Sequence, residues 1–225
     1  GFWQEERTRR RMGNWMRAAV GVAESRRLRV LRISDNMRQV AVTDGDKVEA
    51  QMVFGWQVDH YGVGDIVRAT EAVTETEIDA QMADYAAHYD LDTDRLEAVR
   101  YQAREEVALR RFLEWGGFGA FHTNFQDLQG LRQLPGLAVQ DLMRQGYGFA
   151  GEGDWKTAAL CRIMKRMTAD RSGGTAFMED YTYDLEPGKE LSLGAHMLEV
   201  CPSVAAGRPR IETHFLGIGM NEKDP

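Results

Sequence analysis

Two glutamates and a histidine define the chemistry open to this sequence. Glu152 lies in Gly151-Glu-Gly-Asp-Trp-Lys156, Glu179 in Phe177-Met-Glu-Asp-Tyr-Thr-Tyr183, and His196 in Gly194-Ala-His-Met-Leu-Glu199. Carboxylates and an imidazole are ligand types that a Mn²⁺-like divalent ion accepts. They are also the groups that move protons in carbohydrate chemistry. The stretches between them are too long for one helix to present all three, so the fold must bring them together.

Taken singly, each residue has an ordinary structural reading: a loop glutamate, an edge-strand glutamate facing water, and a hydrogen-bonded histidine. Their settings argue for more. Glu152 falls between a short strand and a helix capped by Asp154, where the helix N-terminus favours an ionised carboxylate. Alternation places Glu179 on one face with Phe177, Tyr181 and Tyr183, and a charge among aromatics is costly to bury unless it is paired or holds a metal. His60, His88 and His214 lack such a setting. His122 is the only other histidine in a strand-end loop.

These stretches need a scaffold, and hydrophobic periodicity indicates which. Leu28 to Ile33, Trp56 to Tyr61, Phe118 to Phe121 and Tyr147 to Ala150 read as strands. Helical patterns run from Phe2 to Ala23, with Phe2, Trp3, Met12, Trp15, Met16, Ala19 and Val20 near one face, and from Lys47 to Phe54, ended by Gly55. Others start at a cap on Asp65, at a Thr74/Glu77 capping box, at about Thr93, at Pro135 and after Asp154. This alternation predicts an α/β fold with a doubly wound, mostly parallel sheet. Ligands sit at the carboxyl ends of such strands, where Ser34 to Arg38, His122 to Gln126 and Glu152 fall.

After Ser172-Gly173-Gly174 the helical pattern stops. Thr175 to Tyr183, Glu190 to Leu193, Met197 to Val200 and Arg210 to His214 read as short strands parted by Pro and Gly. The expected division is 1–22 as the end of an N-terminal domain, 23–172 as a central α/β domain, and 173–225 as the beginning of a β-rich, barrel-like domain. Gly146-Tyr-Gly148-Phe-Ala-Gly151 imitates a dinucleotide-binding fingerprint. That motif needs a strand before its first glycine, whereas here a helical pattern precedes it and the strand falls inside.

The 28 basic and 35 acidic residues give a formal charge of −7, which argues against general attraction to nucleic acid or an anionic membrane. No run of apolar residues is long enough for a membrane helix, and the charged first 20 residues do not form a signal peptide. A cytoplasmic protein with a small neutral ligand is expected. Two cysteines, Cys161 and Cys201, make neither a disulfide framework nor a CxxC site.

Beyond the three central motifs, the sequence carries Asp35-Asn-Met-Arg38, Phe54-Gly-Trp56, Tyr61-Gly-Val-Gly-Asp65, Phe121-His-Thr-Asn-Phe125 and Leu131-Arg-Gln-Leu-Pro-Gly136. Together, along the whole chain, these blocks resemble L-arabinose isomerases. The resemblance implies a three-domain, Mn²⁺-dependent homo-oligomer, a tetramer or hexamer, that converts L-arabinose to L-ribulose, with D-galactose and D-tagatose as a second pair. It implies Glu152, Glu179 and His196 as metal ligands, the two glutamates as the acid/base pair, and Phe125, Met37, Tyr181, Leu193 and Ile218 as sugar-pocket lining. Members of that family are about twice as long, and their fourth ligand, a histidine, has no counterpart before Pro225. The chain is therefore expected to be an internal piece with little activity alone; a non-catalytic sugar-binding module and an inactive fragment are the rival readings.

Overall fold

Caps and glycines set most of the element boundaries in the computed structural model, which describes residues 1–196 and 198–214. The chain opens with α1 (Glu6–Ser25) and β1 (Arg29–Ile33). Asp46 accepts hydrogen bonds from the Val48 and Glu49 amides to start α2 (Lys47–Phe54), and Gly55 ends it at φ 85°, a left-handed conformation that glycine adopts without penalty. Next come β2 (Gln57–Tyr61), α3 (Val63–Glu71), α4 (Glu75–His88), β3 (Asp90–Leu91) and α5 (Leu96–Gly116). The order continues with β4 (Ala120–His122), α6 (Gly136–Arg144), β5 (Gly148–Ala150) and α7 (Trp155–Met167). Three further strands follow, β6 (Glu179–Asp184), β7 (Leu191–Ala195) and β8 (Arg210–Ile211).

The main sheet has the order β2-β1-β4-β5, with every pairing parallel, and is flanked by helices. The expected α/β class and parallel sheet are therefore observed, with Val30 opposite both Val58 and Ala120. Leu31 and Phe121 on its two central strands, and Phe149 on the edge strand β5, are fully buried. The strand inside Gly146 to Gly151 is β5, preceded by α6, which removes the dinucleotide fingerprint. No helix among the described residues is long and apolar enough to cross a membrane.

A second core lies where α4, α5 and α6 meet. Tyr85 donates to Glu106 and Tyr89 to Asp141, both at 2.6 Å, and the Gln145 amide donates to both carboxyls at 2.8 Å. Burial, with Asp141 nearby, pushes Glu106 up to about 8, while Arg144 leads the donors that hold Asp141 below its usual range despite its burial.

Three local expectations are corrected. Asp65 is not the helix cap: α3 begins two residues earlier, and the Asp65 carboxylate reaches back from the first turn to the Gly62 amide at 3.2 Å. The apolar stripe of α1 is exposed from Phe2 to Val20, and the helix approaches α7 at Gly21, where a Cβ would come within 2.6 Å of the Met167 sulfur. In β6 a register shift between Asp180 and Thr182 leaves Tyr181 unpaired and breaks the alternation; Tyr181 and Tyr183 are exposed, like the rest of the strand beyond Glu179, while Phe177, before the strand, is buried. Residues 198–200 form irregular chain rather than strand. β8 also pairs in parallel with β3, which links the C-terminal segment to the α4–α5 connection.

Two stability predictions follow from these contacts. Asp154 accepts from the Lys156 and Thr157 amides at 3.1 and 3.0 Å, so Asp154→Ala should destabilise the fold by about 1–2 kcal/mol in urea denaturation. His122 is fully buried in β4 beside Arg32, and no side chain among the described residues hydrogen-bonds its ring nitrogens. Burial, joined by the Arg32 charge, pulls its pKa down to about 3. The unfolded chain then binds a proton the fold refuses, so stability should fall as pH drops from about 6.5 toward 3. His122→Phe should show a shallower acid slope of urea midpoint against pH; equal slopes would show that His122 carries no such linkage.

Candidate active site

Loops from the carboxyl ends of β1, β4 and β5 are tied to one another. The Asn124 amide donates to the Asp35 carbonyl and the Asp127 carboxylate, both at 3.0 Å, and the Arg38 guanidinium donates to Asp127 at 2.7 Å. The Gly153 amide donates to the Thr123 carbonyl at 2.9 Å, and the Met37 amide to the Glu152 carbonyl at 2.9 Å. Gly153, at φ 87°, passes so close to Asn36 that a Cβ would sit 2.5 Å from the Asn36 Cα. Held between these contacts, Glu152 adopts φ 58°, a conformation costly for a residue with a side chain.

The other two residues come from the β6–β7 hairpin. Glu179, the first residue of β6, stands opposite Ala195, the last of β7. That register brings His196 beside it, with Nε2 3.9 Å from the Glu179 Oε1. Phe177 seats the hairpin on the sheet: its ring is 6.1 Å from Phe149 in β5 and meets the His196 imidazole edge-on at 4.8 Å. Glu199, almost fully buried, places its carboxylate 2.9 Å from the His196 Nδ1.

Glu152, Glu179 and His196 all line one cavity of about 170 Å³, together with Thr123, Phe125 and Glu199. A larger hollow of about 580 Å³, between α5, α6 and the chain from Leu198 to His214, includes none of the three. The smaller cavity therefore brings the three candidate residues together. Burial, followed by the Glu179 charge, raises the proton affinity of Glu152. Burial works against a charged His196, but Glu199, then Glu179 and Glu152, outweigh it and leave the imidazole pKa raised.

Of the expected sugar-pocket residues, Phe125 lines the cavity. Met37 reaches the site through its backbone bond to Glu152. Tyr181 and Leu193 are about half exposed on the hairpin and outside the lining. Ile218 lies outside the described residues. Sequence reasoning missed Glu199, although its three-residue spacing from His196 was a readable signal, and Thr123, which had none beyond its loop.

Two carboxylates and an imidazole suit a hard divalent ion. Ligands about 2.1 Å from an octahedral ion lie about 3.0 Å apart when adjacent and about 4.2 Å when opposite, so the 3.9 Å between His196 and Glu179 would have to change by less than about 1 Å to suit either placement. Among the described residues no three such groups are close enough to hold an ion as they stand, so Glu152 would have to close on the other two.

Residues 29–170 match the L-arabinose isomerase central domain, and residues 174–225 the L-arabinose isomerase C-terminal domain. Among curated relatives, the L-arabinose isomerases of Anoxybacillus flavithermus, Geobacillus thermodenitrificans and Salmonella enteritidis are 57%, 55% and 54% identical to this chain over its whole length. The chain spans 46% of the length of each. With the central and C-terminal domain signatures together accounting for nearly every residue from Arg29 onward, the chain belongs to the L-arabinose isomerase family.

Proposed function

We propose that this chain carries the acid/base site of a divalent-metal-dependent aldose–ketose isomerase that interconverts L-arabinose and L-ribulose, with D-galactose and D-tagatose as a second pair. One observation carries the reading: Glu152 from the sheet and Glu179 and His196 from the hairpin line the same cavity, beside the aromatic ring of Phe125.

The reaction moves a hydrogen between C1 and C2 and a proton between their oxygens. When bound, Mn²⁺ would polarise the carbonyl and orient the two sugar oxygens. Glu152, Glu179 and His196 would hold it. Glu152 and Glu179, both in the lining of the cavity, supply the two carboxylates that the acid and base roles need. Phe125 and Leu128 supply apolar wall that limits water at the reacting carbons. On the same reading the protein works in the cytoplasm as a homo-oligomer with the sugar as its ligand.

Titration calorimetry with Mn²⁺ on the purified 225-residue chain tests this directly. Glu179→Ala should weaken Mn²⁺ binding at least tenfold; an unchanged affinity would overturn the metal reading and favour a sugar-binding module that needs no ion. Glu152→Gly separates function from folding. Glycine relieves the strained φ of 58°, offsetting its greater freedom in the unfolded chain. The thermal midpoint should hold steady or rise while Mn²⁺ affinity falls, and a variant that binds Mn²⁺ as well as the parent would remove Glu152 from the site.

A further inference from the structure

We propose that Glu199 is a positioning residue: it fixes the tautomer of His196, so that Nδ1 carries the proton and the Nε2 lone pair faces the cavity. The inference rests on the reading of the cavity as a metal site, but its geometry stands apart from any ion. Two groups of Glu199 approach the same ring nitrogen. The carboxylate oxygen lies 2.9 Å from the His196 Nδ1 and the Glu199 backbone amide 3.2 Å from it. One nitrogen cannot donate to the first and accept from the second. A carboxylate facing a bare lone pair at 2.9 Å would be repelled, whereas an N–H donating to it makes a charge-assisted bond, stronger than the neutral amide bond it displaces. The proton therefore belongs on Nδ1.

The ring is constrained from a second direction by Phe177, edge-on at 4.8 Å and 67°. With Nδ1 bound to Glu199, Nε2 is the nitrogen near Glu179, 3.9 Å away. Glu199 is itself held in place. It is 5% exposed, and two residues later the buried Cys201 accepts from the Lys165 ammonium at 3.1 Å and lies 2.9 Å from the Ser203 hydroxyl. The backbone that presents the carboxylate is thus anchored to α7. A carboxylate that orients a histidine in this way leaves the opposite nitrogen available as a ligand and makes it a better one.

Long-range ¹H–¹⁵N correlation spectra of the metal-free, histidine-labelled chain, taken at a pH where His196 is neutral and assigned with His196→Asn, report the tautomer. The parent should show the Nδ1–H form. Glu199→Gln, whose amide oxygen still accepts, should keep it, and Glu199→Leu should shift toward Nε2–H. In parallel, Mn²⁺ affinity should fall about 10- to 100-fold in Glu199→Leu and much less in Glu199→Gln. An Nε2–H tautomer in the parent overturns the proposal. So does equal loss of affinity in both variants with the tautomer unchanged, since Glu199 would then act by charge alone. If Glu199→Leu does not fold, the parent and Glu199→Gln spectra decide the matter. If the parent binds no Mn²⁺, the metal reading fails while the tautomer still tests Glu199.

Discussion

The packing of Phe177 between Phe149 and His196 joins the two halves of the site. Phe149 is a fully buried residue of the edge strand β5, and the only described ring between it and the imidazole is Phe177. The β6–β7 hairpin is otherwise largely exposed along its strands, and a two-stranded ribbon is at best marginally stable alone. Its position relative to Glu152 therefore depends on what its first residues bury. Phe177 supplies that burial two residues before Glu179, and the Glu179–Ala195 register carries the same constraint across to His196.

Glu152 is positioned by a different means. Its place comes from backbone: a left-handed residue between two glycines, bonded through its carbonyl to Met37 and followed by a glycine bonded to Thr123 and pressed against Asn36. Such a conformation persists only where neighbours over-determine it. The polar links among Asp35, Arg38, Asn124 and Asp127 supply that determination from two adjacent strand ends, and the Asp154 cap fixes the far side of the turn. One carboxylate is thus held by strained backbone and the other by side-chain packing.

What could be read from the sequence divides along the same line. Features encoded within a few residues were legible: the Asp154 cap, the Gly55 helix end and the α/β alternation. Features set by distant partners were not. The bulge at Tyr181 comes from pairing with β7 and interrupts the alternation expected there. The close approach of α1 to α7 at Gly21 depends on Met167, distant in sequence, and no local pattern announces it. The two-residue strand β3 exists only through its pairing with β8, and Asp65 differs from a true cap only in which amide it reaches.

Charge at the cavity links these pieces. Glu152, Glu179 and Glu199 face it against a single imidazole, an arrangement that like-charge repulsion opposes unless positive charge is supplied. In the protein alone, protons are the available source: burial first and the Glu179 charge second make Glu152 hold its proton more tightly than usual, and the three carboxylates outweigh burial to do the same for His196. On the proposed reading a divalent ion would take over that role, entering only as those protons leave, so that proton release and metal binding are one event. The carboxylate on the far side of His196 need not exchange its proton at all: Glu199 keeps its bond to Nδ1 in either state, and this is what allows Nε2 to change partners while the ring stays in place.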